Sequence, residues 1–164
     1  MGRIRRVANR DTGCIEAVIE DPAGSTVRHV YDTRAGTWRT FPHPFARRPW
    51  PANYGFLVGT YNPSDDDALD VIVLASRPFV TGTRLLVRPV GLLRRRNGDD
   101  KVLAVACADQ RYGAICRLAE VPREDIERIL AWFADWEAVP ELADETAAWE
   151  AVALARRNEE EHDQ

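Results

Sequence analysis

The hydrophobic period of this 164-residue chain changes once, about two thirds of the way along, and that change limits the fold more than any other feature. Before it, apolar residues come in short runs of strand length, divided by turn residues. Residues 15–20 alternate loosely and end on Asp21-Pro22-Ala23-Gly24, a turn sequence; residues 27–31 and 54–61 are further strand candidates. Residues 69–75 read LDVIVLA, a β-branched run expected of a strand covered on both faces. Residues 84–94 predict a long strand with a bend or bulge at Pro89. Asn97-Gly98 predicts a hairpin between residues 92–96 and 101–107. Pro42, Pro44 and Pro49 make residues 37–50 loop or edge structure.

After the change the period is helical. Pro122 suits a first turn, with Glu124 and Asp125 at its positive end. Ile126, Ile129, Leu130, Phe133 and Trp136 then share one stripe. A second helix carries Trp149, Val152 and Ala153 inward, and residues 158–164 read as a frayed polar tail. Strands first and helices second give an α+β fold, mainly β: a small five-stranded Greek-key barrel flanked by two C-terminal helices, in one domain over residues 1–164.

Charge narrows the function classes. Residues 119–164 hold 4 basic and 14 acidic side chains, against 18 and 12 before them. With a net charge of −4, the chain does not read as a nucleic-acid binder. Arg47-Arg48 and Arg94-Arg95-Arg96 are better read as solvated edge charges that oppose aggregation. No apolar run reaches the roughly 20 residues of a membrane span, and the basic start lacks the apolar core of a secretory signal. Three cysteines, Cys14, Cys107 and Cys116, without C-x-x-C spacing, predict neither a disulfide framework nor zinc, and favour a cytoplasmic protein. Of 22 basic residues only Lys101 is lysine.

Chemistry concentrates at Ser64-Asp65-Asp66-Asp67-Ala68-Leu69-Asp70, directly before the apolar strand. Like charges 4 Å apart repel by about 4 kcal/mol at an effective dielectric near 20. Either this is a solvated acidic turn, or hard divalent cations offset the repulsion, since carboxylate oxygens suit Mg²⁺, Mn²⁺ and Ca²⁺. Asp99-Asp100-Lys101 is a second acidic point, and Glu20 ends a strand at a turn. Trp50-Pro51-Ala52-Asn53-Tyr54-Gly55-Phe56 packs aromatics, Pro and Gly together, either as a rigid wall beside a site or as an aromatic core corner.

Taken in order, Val18-Ile19-Glu20-Asp21-Pro22, PANYGF at 51–56, D-x-D-x-x-D at 65–70, Arg88-Pro89-Val90-Gly91 and Asp99-Asp100-Lys101-Val102-Leu103-Ala104-Val105 resemble the soluble inorganic pyrophosphatases of the small-barrel type, from about residue 14 to about 155. The resemblance implies a five-stranded OB-like barrel, a Mg²⁺ cofactor that Mn²⁺ can replace, a homohexamer, and hydrolysis of diphosphate to two phosphates. It places Asp65, Asp70, Asp99 and Glu20 on metal, Asp67 as the base acting on water, and Arg28, Tyr54 and Lys101 on phosphate. No nucleic-acid or membrane partner is implied.

The chain also departs from the family pattern. Arg28 replaces a lysine, Val30 a glutamate, Pro42 an arginine, Trp50 a tyrosine, Asn97 an aspartate, and Trp136-Glu137 a Tyr-Lys pair. Arg39, Arg47 or Arg48 is available to replace the lost arginine. Because most changes fall on phosphate ligands, two alternatives stand beside the main expectation: hydrolysis of an organic diphosphate, or a metal-binding inactive homologue.

Overall fold

The computed structural model describes residues 13–42, 48–135 and 141–163. Five strands close a barrel: β1 (Ile15–Asp21), β4 (Asn53–Leu57), β5 (Asp70–Leu74), β7 (Lys101–Ala106) and β6 (Arg84–Arg94), with β6 returning to β1. All pairings are antiparallel except β5–β7. β2 (Val27–Asp32) and β3 (Thr37–Pro42) form a separate hairpin, and the short β8 (Glu141–Ala143) extends the sheet along β6. Helix α1 spans Arg123–Ala134 and α2 spans Glu145–His162.

Alternation along the strands explains why β5 and β7 look apolar throughout. Ala17, Ile19, Val71, Val73, Val87, Val102 and Ala104 share one core with Ala148, Val152 and Ala155 of α2. Ile72, Leu74, Leu103 and Val105 project to the opposite face and pack with Ile129, Trp132 and Phe133 of α1. Both sheet faces are therefore covered, as a continuous apolar run demands. Gly55 is fixed by a close approach: a Cβ there would lie 1.9 Å from the Val18 carbonyl oxygen. The bulge falls in β6 between Pro89 and Gly91, and Gly98 takes φ +80° in the β6–β7 turn, as Asn-Gly predicts.

Several expectations are corrected. Residues 37–42, read as loop or edge, take the edge alternative, an exposed strand paired among the described residues with β2 alone. β4 stops at Leu57 instead of running to residue 61, because the chain turns at Gly59, φ +76°. In α1 the expected Ile129 and Phe133 are buried and Ile126 and Leu130 pack against the same core, but Asp125 and Trp132 are buried as well, which the predicted stripe did not include; Trp136 lies outside the described residues. Ala153 is exposed while Ala148 and Ala155 face inward. The tail is helical through His162, whose ring stacks on Tyr61 with centroids 3.9 Å apart; at the other end of the helix Asp144 is the cap, its side chain accepting from the Ala147 N–H at 3.2 Å. Finally, Cys14 and Cys107 form a disulfide, Cα atoms 6.7 Å apart, joining the start of β1 to the end of β7; Cys116 is free and exposed. Cysteine spacing gave no hint of this because the two residues are 93 positions apart and meet only when the barrel closes.

Candidate metal and phosphate site

The site lies on the outer face of the barrel. Cross-strand register puts Phe56 opposite Asp70, and Asp70 opposite Lys101. Tyr54, two residues from Phe56, therefore points the same way as Asp70 and Lys101. The Asn97-Gly98 turn returns Asp99 to this edge, and the 62–67 turn brings back Asp65. Backbone bonds between Asn62 and Asp67 close that second turn, with Asp66 at φ +57°, a conformation aspartate tolerates.

Asp65, Asp70 and Asp99 converge so that one oxygen of each lies within 4.8 Å of the others. Lys101 Nζ bridges two of them, 2.6 Å from Asp70 Oδ2 and 2.9 Å from Asp99 Oδ2. Lys101 is only 4 % exposed. Burial alone would lower its pKa, but Tyr54, Asp70 and Asp99 hold it well above the usual value, so it stays charged. The Tyr54 hydroxyl donates to Asp70 Oδ2 at 2.8 Å. Burial, then Asp70, pushes that phenol well above its usual pKa, so it remains a donor. Burial, then Asp70 and Asp99, raises Asp65 to about 7.

Glu20 and Arg28 flank the other side of Tyr54. Arg28 sits over its ring, 5.3 Å from the centroid. Glu20 Oε2 accepts the Tyr31 N–H at 2.9 Å, and Oε1 accepts from Arg28 at 3.4 Å. Burial raises Glu20 to about 7 against the opposing pull of Arg28. Asp67 stands one step aside from the triad: its Oδ1 accepts from the Ala68 N–H at 2.8 Å and from the Thr33 hydroxyl at 3.5 Å. Burial, and then Asp70, lifts its pKa, which favours proton acceptance.

Asp21, read only as part of a turn, is fully buried and holds Arg28 NH1 at 2.6 Å and the His29 N–H at 2.7 Å. It aims Arg28 at the site, and no spacing rule marks it in the sequence. Trp50, in the tyrosine position, stacks on Tyr54 with ring centroids 4.2 Å apart. Among the candidate replacements for the lost arginine, Arg48 pairs with Asp135 at 2.8 Å, and Arg39 lies on the exposed hairpin opposite Val30. Arg47, Trp136 and Glu137 lie outside the described residues.

The donor set suits a hard divalent cation. Asp99 Oδ1 is buried and accepts no hydrogen bond among the described residues. A buried carboxylate oxygen without a donor is costly, and a cation would satisfy it. Fold and site together define a class: an OB-like barrel whose outer wall carries a carboxylate cluster able to hold a metal ion, with a buried lysine beside it.

Comparison with known proteins narrows that class. The inorganic pyrophosphatase family model matches residues 17–162. The chain is 35% identical over 128 residues to an inorganic pyrophosphatase of Leifsonia xyli subsp. xyli, covering 74% of this chain and 78% of that one. It is 30% identical over 146 residues to one of Halalkalibacterium halodurans, covering 87% and 89%. The crystal structure of inorganic pyrophosphatase from Thermus thermophilus superposes with a TM-score of 0.81 at 30% identity, covering 90% of this chain and 92% of that one. The chain belongs to the inorganic pyrophosphatase family.

Proposed function

We propose that this chain hydrolyses inorganic diphosphate to two orthophosphates, with Mg²⁺ as cofactor and Mn²⁺ as a substitute. The observation that carries this reading is the convergence of Asp65, Asp70 and Asp99, with the buried Asp99 Oδ1 lacking a donor among the described residues, beside the buried Lys101 and Tyr54. Asp65, Asp70 and Asp99 hold the divalent ions, with Glu20 as a further ligand. Bound divalent ions supply positive charge to the phosphate oxygens and make water easier to deprotonate.

The chain's own groups do the rest. Asp67 takes a proton from the attacking water, whose oxygen bonds to one phosphorus. The bridging P–O bond breaks, and its electron pair stays on the departing phosphate. Lys101, Arg28 and Tyr54 meet the phosphate oxygens; Lys101 is a compact charge and Arg28 a planar fork, both matched to developing anionic charge. Burial of Glu20, Tyr54 and Lys101 strengthens these interactions by excluding water.

A single domain over residues 1–164 and a homohexamer are part of the proposal; sedimentation checks the second. A cytoplasmic setting is part of it too. The Cys14–Cys107 disulfide weighs against it, since such bonds are rare in a reducing compartment, and trapping thiols in intact cells decides the matter.

Phosphate release from magnesium diphosphate tests the activity. Turnover below about 1 s⁻¹ with both metals, low for an enzyme, ends this reading. Asp70→Asn is expected to abolish tight Mg²⁺ binding by calorimetry together with hydrolysis; a fully active variant overturns the assignment.

A further inference from the structure

A second feature adjoins the site. The outer face that carries Tyr54 and Asp70 continues along the strands to Phe56 and Val18, two residues farther, or about 7 Å. There the wall opens into a hollow of about 680 Å³ between the β2–β3 hairpin, the 66–67 turn and the end of α2. That is within the roughly 300–1,000 Å³ of small-molecule sites.

Its lining is aromatic. Tyr31 stacks on Phe56, ring centroids 5.9 Å apart and planes 8° from parallel. Trp38 leans on Tyr31 at 5.0 Å and is 41 % exposed, a large flat surface facing solvent without a cover among the described residues. Asp67 sits on the boundary: it lines the hollow, and the turn closed between Asn62 and Asp67 also carries Asp65. Tyr31 joins the two regions directly: its main-chain N–H holds Glu20 while its ring lines the hollow.

Charge fixes which part of a ligand belongs there. The lining arginines are already engaged, Arg34 with Asp66 and Arg84 with Glu16 at 2.9 Å. The other charged lining groups, Asp67, Glu159 and Asp163, are acidic apart from His162, which stacks on Tyr61. Phosphate is not favoured in such a hollow, but a neutral planar ring is, held by stacking.

We propose that the hollow beside Asp67 receives the base of a nucleoside diphosphate whose phosphates occupy the carboxylate site. This rests on the hydrolytic reading above and extends its substrate class. Water adds through oxygen to the terminal phosphorus, its proton passing to Asp67. The bridging P–O bond breaks with the electron pair retained on the nucleoside monophosphate, and orthophosphate leaves.

The test uses the full-length protein with Mg²⁺ and three probes: inorganic diphosphate, ADP, and α,β-methylene-ADP, whose bridge cannot be cleaved. Binding of the methylene analogue, read by tryptophan fluorescence, and release of AMP and phosphate from ADP are expected. Trp38→Ala, at an exposed position, is expected to weaken the analogue at least fivefold, the lower end of base-stacking effects. It should also raise KM for ADP at least fivefold more than KM for inorganic diphosphate. Hydrolysis of inorganic diphosphate without binding or cleavage of either nucleotide overturns this inference and leaves the first reading standing. Failure on inorganic diphosphate, with nucleotide binding still dependent on Trp38, removes the first reading and keeps the hollow as a base site. A Trp38→Ala protein with altered oligomeric mass and unaltered analogue affinity shows that a second copy of the chain covers the hollow, and overturns the inference.

Discussion

Replacing Lys101 by methionine keeps the length and apolar stem of the side chain while removing its charge, so it isolates what the ammonium does. In the wild type Nζ lies 2.6 Å and 2.9 Å from two carboxylates. At an effective dielectric near 20 each contact is a gross attraction of about 6 kcal/mol. Desolvation offsets most of this, and removing one partner of a buried pair costs about 3–5 kcal/mol, because the remaining charges stay buried without compensation. Here the remainder is three aspartates with oxygens within 4.8 Å of one another, so the upper end is expected in EDTA. For a chain of this size that is a fall in Tm of roughly 10–20 °C. Millimolar Mg²⁺ should then recover much of the loss, since divalent ions neutralise the same oxygens, and should stabilise the variant more than the wild type. Two melting curves per protein, with EDTA and with Mg²⁺, settle the point. A Lys101→Met protein that melts within 2 °C of wild type in EDTA refutes the electrostatic argument. One whose loss is the same with and without Mg²⁺ refutes the metal site.

Two other outcomes follow from particular groups. Burial raises Glu20 to about 7 from an ordinary 4.5. Between those values the folded state binds more protons than the unfolded one, so in EDTA this group makes stability fall as pH rises from about 4.5 to about 7. Glu20→Gln should flatten that slope in thermal melts, and an unchanged slope shows that Glu20 does not drive it. The Cys14–Cys107 bond closes a separation of 93 residues, for which chain-entropy reasoning gives about 4–5 kcal/mol at most and practice about 2–5. Cys14→Ser, or reductant added to wild type, should lower the melting temperature, whereas reductant should not affect the variant; three free thiols in untreated wild-type protein sink this.

The positions of most strands and of both helices, and the clustering of acidic residues at two turns, were legible from the sequence, because local signals encode them. LDVIVLA needs cover on both faces, Asn-Gly needs a tight turn, and four aspartates in six residues need a counter-charge. The stripe of α1 was legible at Ile126, Ile129, Leu130 and Phe133, but not the burial of Trp132 and Asp125 beside it, which depends on the direction from which the outer barrel face approaches and which periodicity cannot give. Nor was the extension of α2 through its polar end, where Tyr61 stacks on His162 from across the chain.

What the sequence determined by itself is a chain of strands and helices with carboxylates grouped near two turns. Their meeting was decided only by the closed barrel, because Asp65, Asp70 and Asp99 become neighbours through the parallel register of β5 and β7, a relation between segments about 30 residues apart. The same closure made Lys101 their internal counter-ion, aimed Arg28 through the buried Asp21, joined Cys14 to Cys107, and placed the aromatic hollow beside the acid at Asp67. Spacing along the chain carries periodicity and turn chemistry; distance across the sheet is set by register, which no local stretch of residues contains.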